Sequence, residues 1–143
     1  MLNIAIVGCG QMGSRHLQAI VKLGGQLRIQ IVERNPANQD IAKKRLQEVL
    51  TSGQPVEIAW YKDIADLYGP SDLTIVATKS TGRVKILKEL VKMGHNRFLI
   101  EKMVCQSVEE YDSLLETFEN LKIKAWVNCT RPYFPVYEKA IEV

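Results

Sequence analysis

Three glycines near the N-terminus, spaced Gly-x-Gly-x-x-Gly, suggest the clearest chemistry in this chain. Gly8, Gly10 and Gly13 follow an apolar run and precede a helical pattern. This order predicts a strand, a tight turn at Gly8, close approach of a phosphate to Gly10, and a helix packed closely at Gly13. Because the first amides of a helix have no partner within it, those of Gln11, Met12 and Gly13 would face an anion. The loop therefore predicts a binding site for a dinucleotide pyrophosphate.

A carboxylate follows at the distance that such a site requires. The next apolar run ends at Glu33, about 20 residues after Gly13. A carboxylate there binds the ribose hydroxyls of NAD and repels the extra phosphate of NADP, whereas the guanidinium of Arg34 could clamp that phosphate. We favour NAD, with NADP as the alternative. A solvated ion pair at the strand end is the other interpretation of Arg34.

The buried run from 72 to 78 is expected to end beside the glycine loop, where the strand order reverses. Thr78, Lys79 and Ser80 would then border the cofactor. An equally open interpretation is that they only lead into a helix, with Ser80 or Thr81 as its cap.

A further apolar run ends in Glu101-Lys102, again at the carboxyl edge of the sheet. We expect these side chains to form an ion pair there. A partly desolvated lysine at this edge could pass a proton to or from a substrate hydroxyl, which makes Lys102 the candidate catalytic residue. A surface salt bridge is the alternative.

Apolar strand-like runs alternate with helix-period segments along the whole chain, as in a parallel sheet with crossover helices. We predict strands near 2–8, 27–33, 56–61, 72–78, 97–101 and 122–128, and helices near 12–24, 36–51, 81–94 and 107–120. One or two helical turns are expected within 62–68, and a further helix within 131–143. The fold class is α/β, a doubly wound parallel sheet of the Rossmann type with strand order 3-2-1-4-5-6.

Composition narrows the function classes. A chain of 143 residues with 46% hydrophobic and 24% charged residues predicts one globular domain. The net charge of +3 is spread along the chain, so nucleic acid is not an expected partner. No signal peptide precedes the first strand and no apolar run approaches about 18 residues, so we expect a cytoplasmic protein without a membrane span.

The cysteines and histidines predict no metal site. Three cysteines without paired spacing favour reduced thiols over disulfides or a metal centre. His16 is expected to pack or hydrogen-bond on the first helix, and His95, after Gly94, to be a solvent-exposed turn residue.

Four motifs occur in order along the chain. They are Gly8-x-Gly10-x-x-Gly13-x-x-His16, Val76-Ala77-Thr78, Glu101-Lys102 and Asn128-x-x-Arg131-x-x-x-Pro135. Together they resemble the nucleotide-binding half of the Gfo/Idh/MocA oxidoreductase family over essentially the whole chain. The chain departs from the family pattern at three positions: Met103 replaces the proline of Glu-Lys-Pro, Lys79 stands where proline is usual, and Arg83 where histidine is common.

The resemblance implies NAD(P)-dependent hydride transfer to or from a sugar, polyol or related hydroxy compound, with Glu101 at the cofactor and Lys102 near the reacting carbon. It implies that 1–128 form the NAD(P)-binding domain and that 129–143 begin the connection to a C-terminal substrate domain absent from this chain. Any homo-oligomer would form through that domain. Two alternatives stay open: a non-catalytic dinucleotide-binding or sensing module, in which Met103 marks lost catalysis, and a methyltransferase that uses S-adenosylmethionine.

Overall fold

A computed structural model describes residues 1–129 of the chain. Six strands form one parallel sheet with the order β3-β2-β1-β4-β5-β6. The strands are β1 Leu2–Val7, β2 Leu27–Val32, β3 Val56–Tyr61, β4 Leu73–Val76, β5 Arg97–Glu101 and β6 Lys124–Asn128. The predicted doubly wound Rossmann fold and its strand order are confirmed. The predicted segment 131–143, with Arg131 and Pro135, lies outside the described residues.

Four helices connect the strands, and a single 3-10 turn follows β3. They are α1 Gln11–Leu23, α2 Pro36–Gln47, α3 Arg83–Lys92 and α4 Val108–Asn120, and the turn is Ile64–Asp66. Local side-chain interactions explain where two of these helices begin. Asn35 caps α2 by accepting from the Ala37 amide, and Pro36 occupies its first turn. Ser107 caps α4 by accepting from the Glu110 amide. None of these helices is long and apolar enough to cross a membrane.

The start of α3 differs from the prediction. In the interpretation that the residues after β4 only lead into a helix, its cap is Ser80 or Thr81, but the residue before the helix is Gly82, which has φ 74° and no capping side chain. Only glycine adopts this left-handed conformation readily, so the chain turns at Gly82 and the helix begins at Arg83. The prediction was wrong because capping propensity does not account for a turn made by glycine.

Apolar side chains fill both faces of the sheet. One core cluster joins α1 and α2 to one face and includes Ile6, Leu17 and Ile31. The other joins α3 and α4 to the opposite face and includes Val76, Leu87 and Phe98. With both faces covered, the ligand-accessible part of such a sheet is the edge at the carboxyl ends of its strands.

His95 belongs to this core, contrary to the prediction of an exposed turn residue. Its exposure is 0%, and its Nδ1 lies 2.6 Å from Oγ1 of Thr74 on β4. Burial lowers the pKa of His95 below its ordinary value of 6.5. A residue directly after a helix-ending glycine is exposed only if no other element packs over it. In this protein β4 packs over His95.

Candidate nucleotide-binding site

The three glycines of the first loop meet different surroundings. A Cβ atom on Gly13 would lie 1.9 Å from the Gly8 carbonyl oxygen, and one on Gly8 would lie 2.8 Å from the Thr78 amide nitrogen. Backbone therefore excludes any side chain at both positions. A Cβ on Gly10 would meet only the Asn38 side chain, at an ordinary 3.5 Å. Neighbouring atoms therefore leave room for a side chain at position 10, and the open space above it fits a ligand.

The N-terminus of α1 borders this space. No side chain caps the helix and its first turn contains no acidic residue. Arg45 of α2 lies against the same turn, donating to the Gln11 carbonyl oxygen at 2.9 Å and to the Gln11 Oε1 at 2.6 Å. Unpaired first-turn amides and a nearby guanidinium both favour an anion here. Sequence reasoning missed Arg45, because nothing in its local pattern separates it from the exposed basic residues beside it.

Glu33 lies at the end of β2 with 8% exposure. Its Oε2 accepts from the Cys9 amide at 2.8 Å and its Oε1 from the Asn35 amide at 2.9 Å. These bonds hold the carboxylate against the glycine loop. Each carboxylate oxygen can accept a second hydrogen bond, so both can still bind a ribose hydroxyl.

The Cys9 side chain, within the glycine loop, is fully buried. Burial raises the pKa of its thiol to about 12, and the neighbouring Glu33 carboxylate adds to the rise. The thiol therefore stays protonated at neutral pH and is inert.

Arg34 extends away from Glu33, toward the end of β3. Its Nη2 lies 2.6 Å from Oδ2 of Asp63, and its Nε donates to the Lys62 carbonyl oxygen at 3.3 Å. The structure thus forms the exposed ion pair that was one of the two interpretations of Arg34.

The residues after β4 lie next to the glycine loop, since the Thr78 backbone abuts Gly8. Lys79 is exposed and Ser80 partly so. Arg83, the first residue of α3, is 2% exposed, and its guanidinium donates to the carbonyl oxygens of Thr78, Glu101 and Met103. Arg83 therefore ties the loop after β4 to the end of β5. The sequence marked it only as a departure from the family pattern, and its partners are too distant along the chain to be read from it.

Glu101 is at the centre of a cluster of polar side chains. It is 5% exposed, and its Oε1 lies 2.7 Å from Nε2 of His16 and accepts from the Asn128 side-chain amide at 2.5 Å. These contacts join α1, β5 and β6. They confirm a hydrogen-bonding role for His16.

The predicted ion pair between Lys102 and Glu101 does not form. The Glu101 carboxylate points inward to His16 and Asn128, while Lys102 is exposed. Successive residues at a strand end point to opposite sides, which separates the two charges. Met103 is also exposed, and the peptide bond between Lys102 and Met103 is cis. The exposed lysine and the glycine loop both lie at the carboxyl edge of the sheet.

Solved structures share this fold. Scyllo-inositol dehydrogenase from Lactobacillus casei, solved with NAD(H) and scyllo-inositol, is 20% identical, with a TM-score of 0.77 over 99% of this chain and 40% of its own. UDP-N-acetylglucosamine 3-dehydrogenase from Acidithiobacillus ferrooxidans is 15% identical, with a TM-score of 0.75 over 99% and 41%. A Gfo/Idh/MocA family oxidoreductase from Vibrio cholerae is 18% identical, with a TM-score of 0.76 over 99% and 43%. This chain thus spans about 40% of the length of the first structure that it matches.

No curated protein matched the chain. A family model did: GFO_IDH_MocA, described as an oxidoreductase family with an NAD-binding Rossmann fold, matches residues 2–129. The match covers the whole sheet and every site residue placed above. This chain therefore belongs to the GFO_IDH_MocA oxidoreductase family and carries its NAD-binding Rossmann fold.

Proposed function

We propose that this chain is the nucleotide-binding part of an NAD-dependent dehydrogenase that acts on a sugar, polyol or related hydroxy compound. The observation that carries the proposal is the open space above Gly10, bordered by the first turn of α1 and by the Glu33 carboxylate. In this proposal residues 1–128 form the cofactor domain, and 129–143 begin the connection to a substrate domain.

The binding roles follow from the geometry. The backbone of the glycine loop, with the amides of Gln11, Met12 and Gly13, would hold the pyrophosphate, since those amides lack partners within the helix. Glu33 would accept the hydroxyls of the adenosine ribose. The backbone around Thr78, Lys79 and Ser80 would border the nicotinamide half, because it abuts the glycine loop at the point where the strand order reverses.

When bound, NAD would supply the hydride chemistry, and the backbone of the glycine loop with Glu33 would hold it in place. The chain's own residues supply position and a proton carrier. Lys102 is the candidate for proton transfer with the substrate hydroxyl, because its exposed ammonium lies at the carboxyl edge of the sheet. Glu101 would act differently from Lys102: its buried carboxylate, bonded to His16 and Asn128, fixes the backbone from which Lys102 extends.

The substrate class rests on the family and on its solved members. The Lactobacillus casei structure contains scyllo-inositol, a polyol, and the Acidithiobacillus ferrooxidans enzyme is named for a nucleotide sugar. Both substrates are polyhydroxylated rings. The dehydrogenase names of both solved structures and the oxidoreductase description of the family support the choice of dehydrogenase over methyltransferase.

A non-catalytic nucleotide-binding module is the second candidate. It is favoured by Met103, which is exposed where the family motif has proline. Proline would restrict the backbone beside Lys102, and methionine does not. The two candidates share cofactor binding and differ only in whether Lys102 supports turnover.

Cofactor titration tests the shared part of the proposal. Calorimetry and thermal shift with NAD, NADP and S-adenosylmethionine should show binding of NAD, weaker binding of NADP and none of S-adenosylmethionine. A ligand that binds only the native state raises the melting temperature. If S-adenosylmethionine alone raises it, the dehydrogenase proposal is wrong.

A further inference from the structure

Two neighbouring charged residues at the end of β2 are held by different parts of the protein. Glu33 turns toward the glycine loop and accepts from the Cys9 amide. Arg34 turns toward the end of β3, where its Nη2 lies 2.6 Å from Oδ2 of Asp63. The guanidinium next to the expected ribose position is therefore already bound to a carboxylate of the protein.

Asp63 is well placed to hold that guanidinium. Its Oδ1 accepts from the Ala65 amide at 3.1 Å, and its own amide donates to Oδ2 of Asp66, which closes a capping box around the 3-10 turn. The Ala65 hydrogen bond and the Arg34 charge both lower the pKa of Asp63. The carboxylate is therefore ionised at neutral pH and its orientation is fixed by the turn.

This pair bears on the choice between two nucleotides. NADP differs from NAD by a phosphate on the adenosine ribose, and a guanidinium beside the ribose is the group that accommodates it. With its Nε on the Lys62 carbonyl oxygen and its Nη2 on Asp63, Arg34 can offer that phosphate only its Nη1, and the Asp63 charge already neutralises part of its attraction for an anion.

We propose that Asp63 is a specificity-determining residue, which disfavours NADP by holding Arg34 away from the position of the 2′-phosphate. The inference rests on the proposed cofactor-binding function. It differs from the effect of Glu33, because Asp63 acts on the cation and makes no contact with the ribose-binding carboxylate among residues 1–129.

The expected effect is moderate. The Arg34 and Asp63 side chains are 75% and 47% exposed, and exposed ion pairs are weak. Releasing Arg34 and removing one negative charge should together strengthen NADP binding about three- to tenfold at low salt. NAD, which lacks the phosphate, should bind as before.

The test uses Asp63→Asn, because asparagine keeps the cap of the 3-10 turn while it removes the charge. The matched control is Glu57→Gln, which removes the same charge from the exposed pair with Arg28 (2.8 Å) at the other end of β3. The double variant Arg34→Ala/Asp63→Asn shows whether the effect passes through Arg34. Dissociation constants for NAD and NADP are measured by calorimetry at low and at high salt, and folding is checked by thermal melting.

Support requires a lower NADP dissociation constant in Asp63→Asn, an unchanged NAD constant, no change in Glu57→Gln, and a smaller gain when Asp63→Asn is added to Arg34→Ala than when it is made alone. The proposal is overturned if the NADP constant is unchanged, if Glu57→Gln gives the same gain, or if the full gain persists without Arg34. If the unmodified chain binds neither nucleotide, the proposed function itself is wrong, and this inference is rejected with it.

Discussion

Substitutions at Gly10 and Gly13 should separate ligand binding from folding, although both glycines belong to one motif. At Gly10 a new Cβ would meet only Asn38, at 3.5 Å, and φ is −73°. The free energy of unfolding of Gly10→Ala should therefore fall by no more than about 1–2 kcal/mol, less than that of Gly13→Ala. Gly10→Val fills the same space further. Both variants should fold.

Gly13→Ala should instead destabilise the fold. The added Cβ would lie 1.9 Å from the Gly8 carbonyl oxygen and 2.9 Å from the Gly8 carbonyl carbon. Carbon and oxygen need more than 3 Å, so α1 must move away from β1, which breaks packing in the first core cluster. Overpacking of this kind costs about 3 kcal/mol or more. For a domain of this size, that lowers the melting temperature by about 10 °C.

NAD binding should show the reverse order, with the larger loss from substitution at Gly10. Gly10→Val places its side chain where the pyrophosphate would lie, so NAD affinity should fall by at least about 100-fold, or about 2.7 kcal/mol. Thermal melting and NAD calorimetry on the three variants give the two quantities independently. Normal NAD affinity in Gly10→Val would refute the placement of the pyrophosphate, and an unchanged melting temperature in Gly13→Ala would refute the packing argument.

Four further outcomes are expected. Glu33→Ala should weaken NAD binding about tenfold by removing charged acceptors and should narrow the preference over NADP; an unchanged ratio of the two affinities in calorimetry would show that Glu33 does not set the preference. Because burial lowers the pKa of His95, this residue takes up a proton at a higher pH in the unfolded chain than in the folded protein. The free energy of unfolding should therefore fall as the pH drops below 6.5. His95→Gln should flatten this trend in urea denaturation, and an equal slope would contradict it. Arg83→Met leaves three carbonyl oxygens without their donor and should cost about 2–4 kcal/mol in urea denaturation, whereas a loss below about 1 kcal/mol would show that water replaces the guanidinium. In a protein that carries the substrate domain, Lys102→Ala should lower turnover about 10²- to 10⁴-fold with little change in cofactor affinity, and full turnover would favour the non-catalytic module.

The sequence alone determined the elements and their order. Apolar runs of strand length alternate with helical periods, and this pattern, together with the glycine loop, restricts the chain to one topology. The position of Glu33 was predictable for the same reason, because the length of the first crossover sets the distance from the loop to the end of β2. Such features depend on local spacing, which a single sequence displays directly.

Tertiary structure decided which side chains meet. Glu101 and Lys102 are adjacent in sequence, yet the carboxylate bonds to His16, 85 residues away. His95 follows a glycine that ends a helix, yet it is buried against Thr74. Arg83 looks like an ordinary helix residue and instead joins the ends of two strands. The physical reason is that a polar side chain inside a protein must find partners wherever the packed chain offers them, and the packing of helices against the sheet, not sequence distance, brings those partners together.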